Sequence, residues 1–164
     1  MKRLARIIAT VLGVGYIRPA PGTWGSLVAL PWGWLLHVLG GFPLLVLAIV
    51  IGFAKGWWAT SVMTRGGTDH DPSEIVIDEV IGQWIALLPL SFAAWNMGLN
   101  MLVMWPGWIA AFAFFRLFDI WKPGPVGWAD RRGDALGVML DDVIAGVFAA
   151  FGVLALAGLY HGLF

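Results

Sequence analysis

The sequence predicts an all-α fold. It is a polytopic membrane helical bundle of about five membrane-embedded helices plus an N-terminal interfacial helix, forming a single domain over residues 1–164. Three observations predict it. The chain is 60% hydrophobic and 12% charged, with mean hydropathy +0.82, whereas a soluble domain carries about 25% charged residues. Residues 19–54 and 80–115 contain no Asp, Glu, Lys or Arg, 36 residues each, and residues 143–164 add 22 more; one helical span takes about 20. Finally, every Lys and Arg except Lys55 lies in one of three places: the N-terminus, the loop around Arg65, and the segment from Arg116 to Arg132.

Taken in order, Met1 to Gly13 opens with Lys2, Arg3 and Arg6 and then an apolar run. Thr10 interrupts that run, and no small-residue cleavage site follows, so a retained interfacial helix is preferred to a signal peptide. Leu4, Ile7, Ile8 and Val11 fall on one face of it. Pro19, Pro21 and Gly22 then forbid a continuous helix, and Thr23 or Ser26 is placed to N-cap the next one. The breaker Gly40-Gly41-Phe42-Pro43 divides residues 19–54 into a hairpin. Its arms run from about Trp24 to Leu39, kinked or delayed at Pro31, and from about Pro43 to Met63.

Arg65 to Ser73 is a polar loop, and Asp71-Pro72 reads as N-cap and first residue of a helix carrying Glu74, Asp78 and Glu79. Pro89, Asn96–Asn100 and Pro106-Gly107 are candidate breaks, so a second hairpin turns between Phe92 and Gly107. The charged segment from Phe114 to Gly146 follows, then one last span. Hairpins return the chain to the side it left. The three basic regions therefore share a side, which the positive-inside rule makes cytoplasmic. Lys55 falls within the second arm, to snorkel or to face the bundle interior.

Composition excludes several functions. The formal net charge is 0 and no basic stripe exists, so nucleic-acid binding has no support. With no cysteine there is no disulfide framework, thiolate zinc site or cysteine nucleophile. No Ser-His-Asp pattern, Walker loop or HExxH occurs. His37 and His161 lie in or beside apolar helices, and His70 lies in a solvated loop.

Chemistry is carried by an internal echo. Ile77-Asp78-Glu79-Val80-Ile81 and Leu140-Asp141-Asp142-Val143-Ile144 repeat one pattern, each followed by a glycine, Gly82 or Gly146. Asp78 with Gly82, and Asp142 with Gly146, share a helix face. A small residue one turn beyond a carboxylate admits a neighbouring helix, so two such helices would bring four carboxylates to one depth. Four carboxylates in a semi-buried site require a counter-charge. Hard oxygen ligands without His or Cys favour Mg²⁺, held by Asp78, Glu79, Asp141 and Asp142. The competing reading is inert ion pairing with Arg116, Lys122 or Arg131, or simple helix capping.

Arg116, Asp119 and Lys122 recur every three residues and form a polar stripe at a helix end. Arg suits a planar fork on phosphate and Lys a point charge. Arg131 is a further candidate for phosphate, with an anionic-lipid anchor as its alternative. Acids for a metal and bases for an anion, at a membrane surface, point to a lipid with a phosphorylated headgroup. The alternative from another class is a cation transporter or channel that uses the acidic pairs as an ion path.

Four stretches carry a resemblance: Pro21-Gly22-Thr23-Trp24-Gly25-Ser26, Ile75 to Gly82, Phe115-Arg116-Leu117-Phe118-Asp119-Ile120-Trp121-Lys122-Pro123, and Gly137 to Gly146. In this order and spacing the chain resembles the phosphatidylglycerophosphatase A family. The resemblance implies a bacterial, multi-pass inner-membrane phosphatase, dependent on Mg²⁺, with its site facing the cytoplasm. It also implies phosphatidylglycerophosphate as substrate and phosphatidylglycerol as product. It places Asp78, Glu79, Asp119, Asp141 and Asp142 on the family's acidic positions and Arg116 and Lys122 on its basic ones. Of these, Asp78, Asp119, Asp141, Arg116 and Lys122 are the expected catalytic set. Thr23, Ser26, Arg116, Lys122 and Arg131 are expected to bind substrate. The boxes of PAP2-type phosphatases and of CDP-alcohol phosphotransferases are absent.

Overall fold

A computed structural model describes residues 1–66 and 72–163, the last three by backbone alone. Expectations for His70 and Asp71, and for the His161 side chain, lie outside the described residues. All regular structure among the described residues is helical: α1 (Lys2–Ala9), α2 (Pro21–Thr64), α3 (Ile77–Met97), α4 (Trp105–Trp121), α5 (Pro125–Asp130) and α6 (Ala135–Leu163), with short 3₁₀ turns at Val14–Tyr16 and Met101–Met104.

α2 is where the sequence pattern acts most plainly. Its 44 residues leave helical geometry at Gly40 (φ −160°, ψ 17°) and Gly41 (φ 67°, ψ −159°). A positive φ with extended ψ is open to glycine alone. The chain then doubles back. Gly25 packs on Val76 and Gly33 on Trp84 and Leu87, whereas beyond the hinge Gly52 meets Ile81 and Gly56 meets Ile77. Both arms therefore line α3, running in opposite directions. Pro31 and Pro43 sit inside helical backbone, so Pro31 neither delays nor breaks the first arm. Nor does Thr23 or Ser26 cap it. Ala20 occupies the N-cap in a left-handed conformation without a side-chain cap, and Pro21 leads the helix. Proline is suited to that first turn, because it lacks an N–H that would go unpaired.

α3 starts at Ile77 rather than at Pro72. Residues 72–76 form a turn closed by Ile75 N–H to Pro72 C=O (2.9 Å), and Val76 N–H reaches the Ala9 carbonyl (2.9 Å). The end of α1 thus takes a backbone donor that would otherwise have entered the helix, and Glu74 stays outside it. α3 bends by 44° between Ala86 and Leu88, next to Pro89, whose missing N–H interrupts the helical ladder. The second turn falls at 98–104. Gly98 ends α3 at φ 62°, Asn100 accepts from Leu102 N–H, and Pro106 enters the first turn of α4 rather than breaking a helix.

Three stretches are long and apolar enough to cross a membrane, namely Pro21–Thr64, Met101–Trp121 and Ala135–Tyr160; bent α3 raises the number to four. Their outward faces carry Trp32, Leu35, Leu39, Leu47, Val50, Phe151 and Leu154, all exposed. A surface so apolar is suited to lipid. The core lies along α3, where Val80, Ile81, Trp84 and Leu87 pack with Leu45, Phe115 and Met139.

α1 docks at the charged end. Its buried face is Ala5 and Ala9, set against Ala59, Ile75 and Val138, while Leu4 and Ile7 remain exposed. The small residues admit close packing, Ile8 packs partly beside them and Val11 is buried in the core, so it is Leu4 and Ile7 that face outward, where lipid would meet them. Lys55 also points outward; its neighbour Gly56 faces the bundle against Met139.

Candidate active site

The echoed glycines make the site possible. α3 and α6 cross where Gly82 meets Gly146. A Cβ at Gly82 would lie 2.6 Å from the Asp142 carbonyl oxygen, and one at Gly146 would run into the Gly82 backbone. One turn toward the charged end of this crossing, Asp78 and Asp142 face each other with Glu79 beside them. Ligand oxygens of Asp78, Glu79 and Asp142 lie within 4.8 Å of one another. Asp78 and Asp142 are buried. Asp78 and Glu79 stand in the first turn of α3, where the helix dipole favours negative charge.

Three of the four expected ligands therefore gather, and Asp141 stands apart. Consecutive helical residues point about 100° apart, so Asp141 turns from the seam toward Lys122, whose Nζ donates to its Oδ2 at 2.8 Å. Lys122 also pairs with Asp130, at the end of α5. Lys122 caps α4 at φ 50°, a left-handed conformation unusual for a long side chain. Burial alone would lower its pKa; hydrogen bonds to Asp130 and Asp141 outweigh that and hold it above its ordinary value.

Arg116 and Asp119 form an i,i+3 ion pair of 2.5 Å on α4. Asp119 is one of the anionic neighbours acting on Asp142, Asp141 and Glu79, so it borders the cluster. Arg116 Nη1 also reaches Ser26 Oγ at 3.5 Å, and Ser26, fully buried, donates to the Gly22 carbonyl. In that turn of α2 it is Gly22 that lies against Glu79 and Arg116; a Cβ there would collide with the Glu79 carboxylate. Thr23 occupies the same turn, half-buried. Arg131 is exposed at the end of α5, its guanidinium near Gly127.

A divalent cation fits this donor set. Glu79 Oε2 and Asp142 Oδ1 are buried and have no hydrogen-bond partner among the described residues. Carboxylate oxygens so placed are costly unless a counter-charge meets them. Three oxygens within 4.8 Å can close on one ion at the 2.0–2.6 Å typical of Mg²⁺ and Ca²⁺. Arg116 and Lys122 add positive charge at the rim. Such an arrangement can take a cation on the carboxylates and an anion on the adjoining basic groups.

Residues not anticipated from sequence complete the surroundings. Gly22, against Glu79, and Asp130, on Lys122, belong to this group. So does Asp134, whose Oδ1 accepts from Gly137 N–H at 2.7 Å and caps α6. An Asp ahead of an apolar helix was a readable signal for the cap. For Gly22, its place in the Pro21–Ser26 motif was the only signal.

A family model described as phosphatidylglycerophosphatase A matches residues 7–157. A phosphatidylglycerophosphatase A of Escherichia coli (strain K12) is 36% identical over 93% of this chain and 82% of its own length. Another, of Haemophilus influenzae, is 36% identical over 92% of this chain and 86% of its own. A Bacteroides thetaiotaomicron protein, 39% identical over 91% of this chain and 92% of its own, carries a provisional name as a phosphatidylinositol-3-phosphatase. No solved structure matches.

Proposed function

Because the chain belongs to the phosphatidylglycerophosphatase A family, and is on that ground a phosphatase, we propose that it hydrolyses phosphatidylglycerophosphate to phosphatidylglycerol and phosphate at the cytoplasmic face of a bacterial inner membrane. The observation that carries the site assignment is the convergence of Asp78, Glu79 and Asp142 beside Arg116. All three relatives bear names of phosphatases acting on phosphatidyl lipids.

In this reading both arms of α2 cross the bilayer, as do α3, α4 and α6, which gives five crossings with the charged end in the cytoplasm. The lipid tails stay among the helices, and the terminal phosphate reaches the acids from the rim. Asp78, Glu79 and Asp142 would hold Mg²⁺, with Asp119 bordering them. Bound there, Mg²⁺ supplies Lewis-acid polarisation of the phosphoryl oxygens.

The protein's own groups do the rest. Arg116, steadied by Asp119 and Ser26, orients the phosphate through its guanidinium fork. Lys122 has three N–H donors; two are held by Asp130 and Asp141, which leaves one to stabilise charge that builds on the phosphoryl group. Asp119, outside the three-carboxylate cluster, is our assignment for the group that moves the proton of the attacking water. Arg131, exposed, supports attraction of the anionic lipid rather than contact with the reacting atoms. A cation path is disfavoured, since the acids cluster with basic residues toward one end of the bundle.

Purified protein supplied with phosphatidylglycerophosphate in mixed micelles should release phosphate with Mg²⁺ and lose that activity in EDTA. No release from the intact protein with Mg²⁺ present would refute the proposal.

A further inference from the structure

Gln83 is fully buried, and neither its amide nitrogen nor its amide oxygen has a hydrogen-bond partner among the described residues. An unpaired buried amide is costly, whereas an apolar side chain of the same shape would pack without that cost. Gln83 follows Glu79 by one helical turn, before the bend of α3 begins, so both side chains leave the same face. Glu79 feels Arg116 and lies against Gly22. Around Glu79, its own Oε2, Arg116 Nε and Asp142 Oδ1 are also buried without hydrogen-bond partners among the described residues. A cation accounts for the two carboxylate oxygens but not for an amide, which offers a donor and an acceptor together. A hydroxyl group matches both.

The substrate proposed above has such a group. The headgroup glycerol of phosphatidylglycerophosphate carries one free hydroxyl, on the carbon beside the phosphate ester to be cleaved. Resting on that reading, we propose that Gln83 reads the headgroup: its amide pairs with this hydroxyl when the phosphate lies between Arg116 and the acids. Gln83 is then a specificity residue whose hydrogen bonds are completed only by substrate. A site built to pair with a hydroxyl discriminates against the analogue that lacks it, because its own polar group is left unpaired.

The test compares the intact protein with Gln83→Met on two substrates, phosphatidylglycerophosphate and the analogue whose headgroup glycerol is replaced by 1,3-propanediol. Wild type should prefer the natural lipid by about tenfold in kcat/KM, the effect of one or two hydrogen bonds. Gln83→Met should lose that preference, mainly through KM for the natural lipid, with no fall in its thermal midpoint. Equal preference in both proteins overturns the inference and leaves the proposed activity intact. So does a variant that melts lower and loses both substrates alike, which would mark a packing role. Absence of release from either lipid by wild type overturns the proposed activity and this inference together.

Discussion

Asp141 and Asp142 are neighbours that serve different partners. Asp142 joins Asp78 and Glu79 at the α3–α6 seam, and Asp141 holds Lys122. Asp142→Asn removes one of the proposed metal ligands and should lower kcat by about 10²-fold or more, the scale of losing one transition-state contact. Asp141→Asn leaves the three-carboxylate cluster in place and should cost about tenfold, as supporting residues do. Steady-state phosphate release with both variants checks the contrast; equal losses would contradict it. The acids and Arg116 were legible in the sequence because charge beside an apolar span is expensive and therefore conspicuous. The division between Asp141 and Asp142 was half legible: the spacing of Asp142 to Gly146 marked Asp142 for the seam, whereas nothing in the repeated pattern showed Asp141 turning to Lys122. Gln83 gave no signal because an uncharged amide barely disturbs a hydropathy profile. Asp130 was hidden among neighbouring charges that looked solvated.

At the scale of elements, the Gly82–Gly146 crossing sets the distance between the two acidic turns. Gly146→Ala would push a methyl group into the Gly82 backbone, which cannot swing aside as a side chain can. It should destabilise the bundle by about 1–3 kcal/mol and reduce activity with it, read by thermal unfolding and phosphate release. Asp134 gives a pH-dependent counterpart. Its hydrogen bond from Arg132, then the Gly137 N–H, hold its carboxyl below its ordinary value. A folded pKa below the unfolded one gives stability that is present above about pH 4 and lost as pH falls through the folded value. The acid side of the unfolding profile should therefore flatten in Asp134→Asn. The glycine crossing and the Gly40-Gly41 hinge were both readable, one from the echo and one from paired glycines ahead of proline. The start of α3 was not. Asp71-Pro72 is a sound local signal, but the contact between Val76 and Ala9 holds the preceding residues out of the helix, and that contact joins residues 67 apart.

For the whole molecule, the hydropathy profile disclosed a membrane bundle, because uncharged stretches of this length have no other economical solvent. It did not disclose which faces pack: of the four apolar residues placed on one face of the N-terminal segment, Ile8 and Val11 pack inward with Ala5 and Ala9, whereas Leu4 and Ile7 face outward. The absence of native cysteine permits a direct topology test. Single Arg3→Cys and Leu99→Cys variants should be labelled by impermeant maleimide from opposite sides of oriented membranes, the first from the cytoplasm. Labelling of both from one side would contradict the proposed crossing pattern. The central claim is that the acids joining α3 to α6 form the metal-dependent centre of a lipid phosphatase. Its most direct test is the Mg²⁺ dependence of phosphate release from phosphatidylglycerophosphate by wild type and by Asp142→Asn. The account predicts saturable activation of wild type, abolished by EDTA, and little activity in the variant at any Mg²⁺ concentration. Wild-type turnover indifferent to EDTA, or a variant with the wild-type Mg²⁺ response, would contradict it.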